Sequence, residues 1–427
     1  MTTMMIIMMT IIAFLVLVQT EAQLPSYDDI PRLFPQPHSI STNFTGNASS
    51  LELSSSFTFT TKTNSDILQF NTDYYQKLIF QRNTSKTTST TTTIPTLPII
   101  NHLNIKVIEQ VTSASYPHLN ADESYNLDVQ SPISTLTAPT IWGALHGLET
   151  FSQLIQMNRK LVIRGGGPQF TIQDKPRFTY RGLMLDPARH FITVKDINRT
   201  IDAMSQNKLN TLHIHFTDGE SFTINTEKWL KYTNLSIKGA YSPRLSYTAD
   251  DLKAIVAHGR MKGVRIIPEF DLPAHMASWA QGVPKLITDC PSVNPHPEWP
   301  RYYSPADVTN ELLYDVLDEL LSQLNTIFVD EFFHVGGDEP HFPCWDASES
   351  VSKYKKKQNM TNIQLYNYFE NRYNTLLQKY NKTRQGWEEV FTLSTSNNKN
   401  ENSFDSSTIV HVWKGNDELA NVVAAGL

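Results

Sequence analysis

Two acids stand side by side at the end of an apolar run. Ile327, Phe328 and Val329, then Phe332 to Val335, read as a buried strand; Gly336 and Gly337 follow, then Asp338 and Glu339, and Pro340 ends the element. Like charges this close resist ionising together, so at least one of the pair should keep its proton to higher pH. A carboxyl group protonated near neutrality can protonate a departing oxygen, which is the general-acid step of glycosidic bond cleavage. An isolated Asp-Glu pair would read as a solvated loop; after two glycines at the end of an apolar run it reads as a site. The pairing also restricts mechanism. A retaining glycosidase with its own nucleophile holds two carboxyls roughly 5 Å apart on opposite sides of the anomeric carbon. Neighbouring residues, with Cα atoms about 3.8 Å apart, rise from one wall of a pocket. One of the pair is therefore read as the acid and the other as a helper, and the nucleophile comes from elsewhere in the chain or from the substrate.

The elements that must position these acids alternate between strand-like and helical stretches. Strand candidates are 180–186, 211–218, 264–271, 332–338, 384–391 and 409–413; helices are expected near 197–206, 249–262 and 417–425. This grammar predicts an α/β fold, a (β/α)8-type TIM barrel of which only about six strands are present. A doubly wound sheet is the alternative, but no Gly-rich phosphate loop supports it. Polar residues recur at the strand ends: Asp186, Asp218, then Glu269, Asp271 and His275, then Asp338 and Glu339, then Trp387 and Glu388, then Trp413. Catalytic groups of barrel enzymes sit at these ends, and a tryptophan at such a rim suits the apolar face of a sugar, although a buried core tryptophan would read the same way. His213, His215, Asp218 and His275 could also imitate a hydrolase metal centre. That reading leaves the paired acids and the tryptophans unexplained, so no metal and no cofactor is expected.

Ahead of the barrel, at 176–427, lies a smaller α+β domain at 23–175. Its strands are read at 105–108, 125–129 and 133–137, its helix at 141–156, and it carries a Thr/Ser-rich insertion at 84–93. No chemistry is read in it. Residues 1–22 read as a secretory signal peptide: 4–18 is almost wholly apolar, too short for a comfortable membrane span, and small residues follow. No later stretch is long and apolar enough to span a membrane. A net charge of −6 offers no basic surface for nucleic acid. Asn43, Asn47, Asn83, Asn198, Asn234, Asn359 and Asn381 open Asn-X-Ser/Thr sequons, several of which should carry glycan in a secreted chain. The two cysteines, Cys290 and Cys344, could bridge in an oxidising compartment.

On Arg181 to Asp186 with Arg189-His190-Phe191, on His213-Ile214-His215, on Glu269 to His275 and on His334 to Glu339, the chain resembles a family 20 β-N-acetylhexosaminidase of the eukaryotic lysosomal or secreted type. Residues 142–154 resemble the helix that precedes the barrel in that family. The resemblance implies an exo-glycosidase that removes terminal β-linked N-acetylglucosamine or N-acetylgalactosamine from a glycan substrate. Its nucleophile would be the 2-acetamido carbonyl oxygen of the sugar itself. It implies Glu339 as acid and then base, Asp338 on the acetamido N–H, and Arg181 on sugar hydroxyls. Asp218 and His275 would form a chain supporting Glu339, and Trp387 and Trp413 would line the acetamido pocket. A Cys290–Cys344 disulfide, a lysosomal or secreted location and a homodimer are implied as well. The chain departs from the family pattern at Gly219, where a second acid is usual. It also shows six strand candidates rather than eight, without the family's later tyrosine, tryptophan and glutamate. A truncated, inactive sugar-binding homologue is therefore the alternative expectation.

Overall fold

The computed structural model describes residues 33–42, 50–81, 97–158, 160–163, 169–228, 231–232, 234–290, 292–293, 304–395 and 405–426. The expected signal peptide, the Thr/Ser tract and the sequons at Asn43, Asn47 and Asn83 lie outside the described residues. Two compact units are present. One holds the chain up to Ser113 together with Asp122–Arg177, the other Ala114–Ala121 and Phe178 onwards.

The first unit is a mixed sheet of eight strands: β1 (Ser39–Thr42), β2 (Leu51–Thr61), β3 (Ile99–Val107), β4 (Tyr125–Gln130), β5 (Ile133–Ala138), β6 (Ile155–Asn158), β7 (Lys160–Ile163) and β8 (Gln169–Asp174). They run across the sheet in the order β1-β8-β4-β5-β3-β2-β7-β6. Alternation dictates the buried face: Tyr125, Leu127 and Val129 of β4 are buried and their neighbours are not. Helix Ile141–Leu154 begins where the Thr140 hydroxyl accepts from the Gly143 N–H, and nearly all of it is buried. It stops two residues short of the expected 156. Ile155 and Gln156 pair with Ile163 and Val162 in a β-ladder, an outcome that apolar helical spacing alone cannot distinguish. Helix Asp66–Gln81 joins it through the Tyr75 hydroxyl, which donates to Glu149 Oε2 at 2.8 Å.

The second unit is built on six strands: β9 (Gly182–Leu185), β10 (Thr211–Thr217), β11 (Arg265–Leu272), β12 (Phe332–Gly336), β13 (Thr383–Trp387) and β14 (Ile409–His411). Each is parallel to its predecessor in the chain, so sheet order is chain order. Every residue of β10, β11 and β12 is buried, as strands covered on both faces must be. The crossover helix Ala249–Lys262 is fixed by a capping box, Thr248 with Asp251, and by Gly263 in the left-handed region at φ 72°. The segment 114–121 belongs to this unit. The Ser115 carbonyl accepts from Arg260 Nε at 2.8 Å, and the Tyr116 hydroxyl accepts from the Ile266 N–H at 3.0 Å. The sheet curls, so side chains from its two ends meet inside: the Tyr180 ring lies 5.4 Å from that of His411, and Gln385 Nε2 donates to the Tyr180 hydroxyl at 3.2 Å.

Strand existence follows the expectation and strand ends do not. The fourth strand stops at Gly336 rather than 338, because Gly336 and Gly337 turn the chain with φ 72° and 98°. The fifth stops at Trp387, and Glu389–Thr395 is helical. Cys290 and Cys344 are joined, with Cα atoms 5.2 Å apart, tying the loop beyond β11 to helix Phe342–Ala347 just past the paired acids. Among the described residues no helix is long and apolar enough to cross a membrane.

Candidate active site

The acids are presented by a turn that only glycine can make. A Cβ on Gly336 would fall 1.8 Å from Asp271 Oδ1, and one on Gly337 would fall 2.5 Å from Val390 and 2.9 Å from the Tyr366 hydroxyl. The turn is pinned from two sides: the Gly337 N–H donates to Asp271 Oδ1 at 3.2 Å, and the Tyr366 hydroxyl donates to the Gly337 carbonyl at 2.7 Å. Glu339 itself sits in the left-handed region at φ 50°. Asp338 is thereby held in a largely buried position, while the Glu339 side chain remains 59 % exposed.

His275 is the junction. Its Nε2 lies 3.6 Å from Asp338 Oδ2, 3.6 Å from Glu339 Oε2 and 3.8 Å from Asp271 Oδ2, and its Nδ1 lies 3.2 Å from Asp218 Oδ1. Asp218 in turn meets His215 Nε2 at 2.8 Å and Arg189 Nη2 at 2.6 Å, and Arg189 also donates to Asp186. Behind His215 stands Glu269, fully buried. Its Oε2 is 2.7 Å from His215 Nδ1 and 2.7 Å from His213 Nε2; its Oε1 is 3.1 Å from His334 Nδ1 and accepts from Trp387 Nε1 at 2.8 Å. A chain of alternating charge thus runs Glu269, His215, Asp218, His275 to the paired acids.

Protonation follows from this alternation. Burial works against charge on His215 and His275, but the carboxylates around each raise both well above the usual imidazole range. Burial also opposes ionisation of Glu269, yet His215, His334 and His213 hold it well below the usual carboxylate range. Contrary to the reading of the pair in isolation, neither of its members is pushed up. A hydrogen bond from His275 lowers Glu339; Asp338 is lowered against its own burial, again by His275. The raised acid is Asp271, through burial and the neighbouring charge of Asp338. The cation between the pair, invisible in the local sequence, decides the sign.

Removing that cation has an expected consequence. In His275→Gln both Asp338 and Glu339 lose the group that depresses them, so both pKa values rise. If one is needed ionised and the other protonated, both limbs of the kcat/KM profile move to higher pH while its maximum falls. A pH series on wild type and variant checks this; superimposable profile shapes would show that His275 does not set these ionisations.

Of the residues singled out from sequence, Asp338, Glu339, His275 and Asp218 are brought together, and Trp387 joins them through Glu269. Trp413 is 47 % exposed, with Nε1 donating to Glu389 Oε2 at 3.2 Å. Trp387 and Trp413 both line a cavity of about 530 Å³ between β9 and β14, together with Tyr180, Met184, His213 and His411; neither Asp338 nor Glu339 is among its lining residues. Arg181 is the exception. It precedes β9, at the opposite end of the strands from the acids, and its guanidinium donates to the Phe178 and Lys208 carbonyls at 2.7 and 2.8 Å. No sugar-facing position is left to those two donors. Sequence reasoning places Glu269 only among the strand-end polar residues, His215 only in the alternative metal set and Arg189 only in the family motif, and gives Tyr366 no place. The first two carried a signal, a buried acid and an i, i+2 histidine in apolar strands, whereas Tyr366 reads only as helix core.

Acids, histidines and tryptophans gathered at the carboxyl ends of a curled parallel β/α sheet follow the plan of a (β/α)-barrel glycoside hydrolase. Comparison with known proteins narrows the class. Residues 178–427 match the glycosyl hydrolase family 20 catalytic domain, and residues 33–154 match a domain described as beta-acetyl hexosaminidase like. The chain belongs to glycosyl hydrolase family 20. It is 34 % identical to beta-hexosaminidase subunit beta of Rattus norvegicus over 73 % of this chain and 56 % of that one. It is 36 % identical to beta-hexosaminidase 3 of Arabidopsis thaliana over 72 % and 55 %. Among solved structures, Flavobacterium johnsoniae chitobiase superposes with a TM-score of 0.74 at 28 % identity, covering 93 % of this chain and 58 % of its own. The chain thus spans a little over half the length of the relatives it matches.

Proposed function

We infer that this chain carries the site of a retaining exo-β-N-acetylhexosaminidase, acting on terminal non-reducing β-linked N-acetylglucosamine or N-acetylgalactosamine of glycoconjugates. One observation carries the reading: a single imidazole, His275, at 3.6 Å from both Asp338 and Glu339 at the mouth of β12. Two acids on one wall do not flank a sugar, and, as the family resemblance implies, the substrate's own 2-acetamido group supplies the nucleophile. Its carbonyl oxygen bonds to the anomeric carbon as the bond to the leaving oxygen breaks, and Glu339 gives its proton to that oxygen. Asp338, ionised and buried, accepts from the acetamido N–H and offsets the positive charge of the resulting oxazolinium. Water then attacks the anomeric carbon from the vacated side as the bond to the acetamido oxygen breaks and restores the neutral amide, and Glu339 takes the water's proton, so the configuration is retained. The tryptophan-lined cavity fits the acetamido methyl and the apolar sugar face.

The same reading places the chain in the secretory pathway, lysosomal or exported, with glycan on exposed sequons. Asn234, Asn359 and Asn381 are exposed at helix ends and turns, whereas Asn198 is half-buried within helix Val194–Gln206.

Leaving-group dependence tests the assignment. On an N-acetylglucosaminide with a poor leaving group, Glu339→Gln is expected to lower kcat/KM by about 10²–10⁴-fold, the usual worth of a general acid. On a dinitrophenyl glycoside, which departs unprotonated, the bond-breaking step should be nearly unaffected. Asp338→Asn should slow both substrates. Equal losses on both for Glu339→Gln would remove it as the acid. Binding of N-acetylglucosamine without any turnover by the parent chain would replace the enzymatic reading with a sugar-binding one.

A further inference from the structure

One cluster of side chains is not used by this chemistry. In a curled parallel sheet, alternate strands contribute to the same interior layer. β10, β12 and β14 are alternate strands, and each places a histidine in that layer: His213, His334 and His411. The rings of His213 and His334 stack with centroids 4.3 Å apart, and His411 completes the triangle at 5.8 and 5.2 Å. One ligating nitrogen from each lies within 4.8 Å of the others. We propose that His213, His334 and His411 form a binding site for a borderline d-block dication such as Zn²⁺ or Cu²⁺, occupancy of which inhibits the hydrolase.

Three features support the site. First, His334 is completely buried and its Nε2 has no hydrogen-bond partner. An unsatisfied buried nitrogen is rare and calls for an explanation. Second, neighbouring groups hold the rings in place. His334 Nδ1 accepts from the Gly336 N–H at 3.1 Å and lies 3.1 Å from Glu269 Oε1, so the partnerless Nε2 is the nitrogen turned toward the other rings and would give up its proton on binding a metal. Gln385 Nε2 lies 2.7 Å from His411 Nε2 and holds that ring. Third, there is a route in, because His213 and His411 line the cavity of about 530 Å³. An all-imidazole set selects zinc or copper over magnesium or calcium. In a tetrahedral zinc site the nitrogens stand about 3.3 Å apart, so the rings must close by up to about 1.5 Å, a movement side-chain rotation supplies.

The other groupings of potential ligands are weaker candidates. Both nitrogens of His215 are engaged, by Glu269 and Asp218, and His275 is likewise held between carboxylates. Inhibition follows from geometry. His213 Nε2 lies 2.7 Å from Glu269 Oε2, out of line for a hydrogen bond. Drawing His213 and His334 onto a metal disturbs Glu269 and hence the chain through His215 and Asp218 to His275.

Calorimetric titration of the 427-residue chain with ZnCl₂, alongside Co²⁺ absorption spectra, tests this. Wild type should bind one equivalent and give the visible bands of low-coordinate Co²⁺. His411→Gln should bind at least about 10-fold more weakly, and zinc inhibition should weaken in parallel. His411→Cys should restore binding and add a thiolate-to-cobalt charge-transfer band, which decides the matter should the glutamine variant fold poorly. No binding by wild type, or equal binding by wild type and His411→Gln, would overturn the proposal. So would binding that survives in His411→Gln but is lost in Glu339→Gln, since the metal would then sit on the catalytic carboxylates. Because zinc binding is read without substrate, its failure leaves the hydrolase assignment standing.

Discussion

Glu269→Leu is expected to destabilise the barrel unit by about 3–5 kcal/mol, the range found when one partner of a buried charge pair is removed. The reason is the number of groups that depend on one carboxylate. His213, His215, His334 and the Trp387 indole all face Glu269, and none of these five side chains except Trp387 has appreciable exposure. Leucine fills most of the volume but accepts nothing, so His215 would be left as a buried cation with Asp218 alone. Asp218 already balances His275 and Arg189. Three cations on one carboxylate cannot all be kept, so His215 should lose its proton and His275 should shift. The effect should therefore appear twice, as a lower denaturation midpoint in urea and as a fall in kcat/KM measured on the fraction that stays folded. Glu269→Gln preserves shape and one acceptor oxygen, and should lose less stability than leucine while showing a comparable catalytic loss. A leucine variant that melts within a degree of wild type would mean that Glu269 is a passenger in the histidine layer.

Much of this was legible in the sequence, and its limits have physical causes. The inner strands are readable because burial on both faces favours apolar runs, as in Phe332 to Val335, and alternation with helical stretches announces their parallel order. The edge strands β9 and β14 are not buried in this way and are read from that alternation alone. Strand ends are less readable. Ile155 carries no local mark that distinguishes the last turn of a helix from the first residue of a strand, and pairing with Ile163 decides it. The acids are conspicuous because Asp338 and Glu339 follow two glycines. Their ionisation is not legible there, because adjacency is the only electrostatic fact a sequence displays. His275, 63 and 64 residues earlier by subtraction of the residue numbers, supplies the opposing charge only once β11 and β12 lie side by side. Arg181 is a different case. The family motif implies a place on sugar hydroxyls, and in this chain its Nε and Nη1 donate to two nearby carbonyls, a local engagement the motif does not display. The layer of His213, His334 and His411 is the least visible feature, because one histidine in each of three apolar strands becomes a cluster only when the sheet curls.

Gly336→Ala is the second substitution expected to have a large effect, and a single methyl group produces it. The new Cβ would lie 1.8 Å from Asp271 Oδ1 and 2.6 Å from its Cα, distances that side-chain rotation alone cannot relieve. The backbone is also in the left-handed region, which costs a non-glycine residue about 1–2 kcal/mol. Adding about 1–3 kcal/mol for overpacking gives a loss of about 2–5 kcal/mol. Catalysis should suffer more than stability. Asp271 can escape only by leaving the Gly337 N–H it accepts from, and the turn carrying Asp338 and Glu339 then loses one of its two pins. A displacement of about 1 Å at reacting groups costs about 10²-fold. The expected result is a folded protein with kcat reduced at least that much and KM changed far less. Gly415→Ala is the control, since nothing lies within 4 Å of the added methyl and its backbone is extended at φ 165°. It should melt within about 0.5 kcal/mol of wild type. If Gly336→Ala were as mild as that control, the close approach of β12 to Asp271 would not be what aims the acids, and the glycine pair would be a turn like any other.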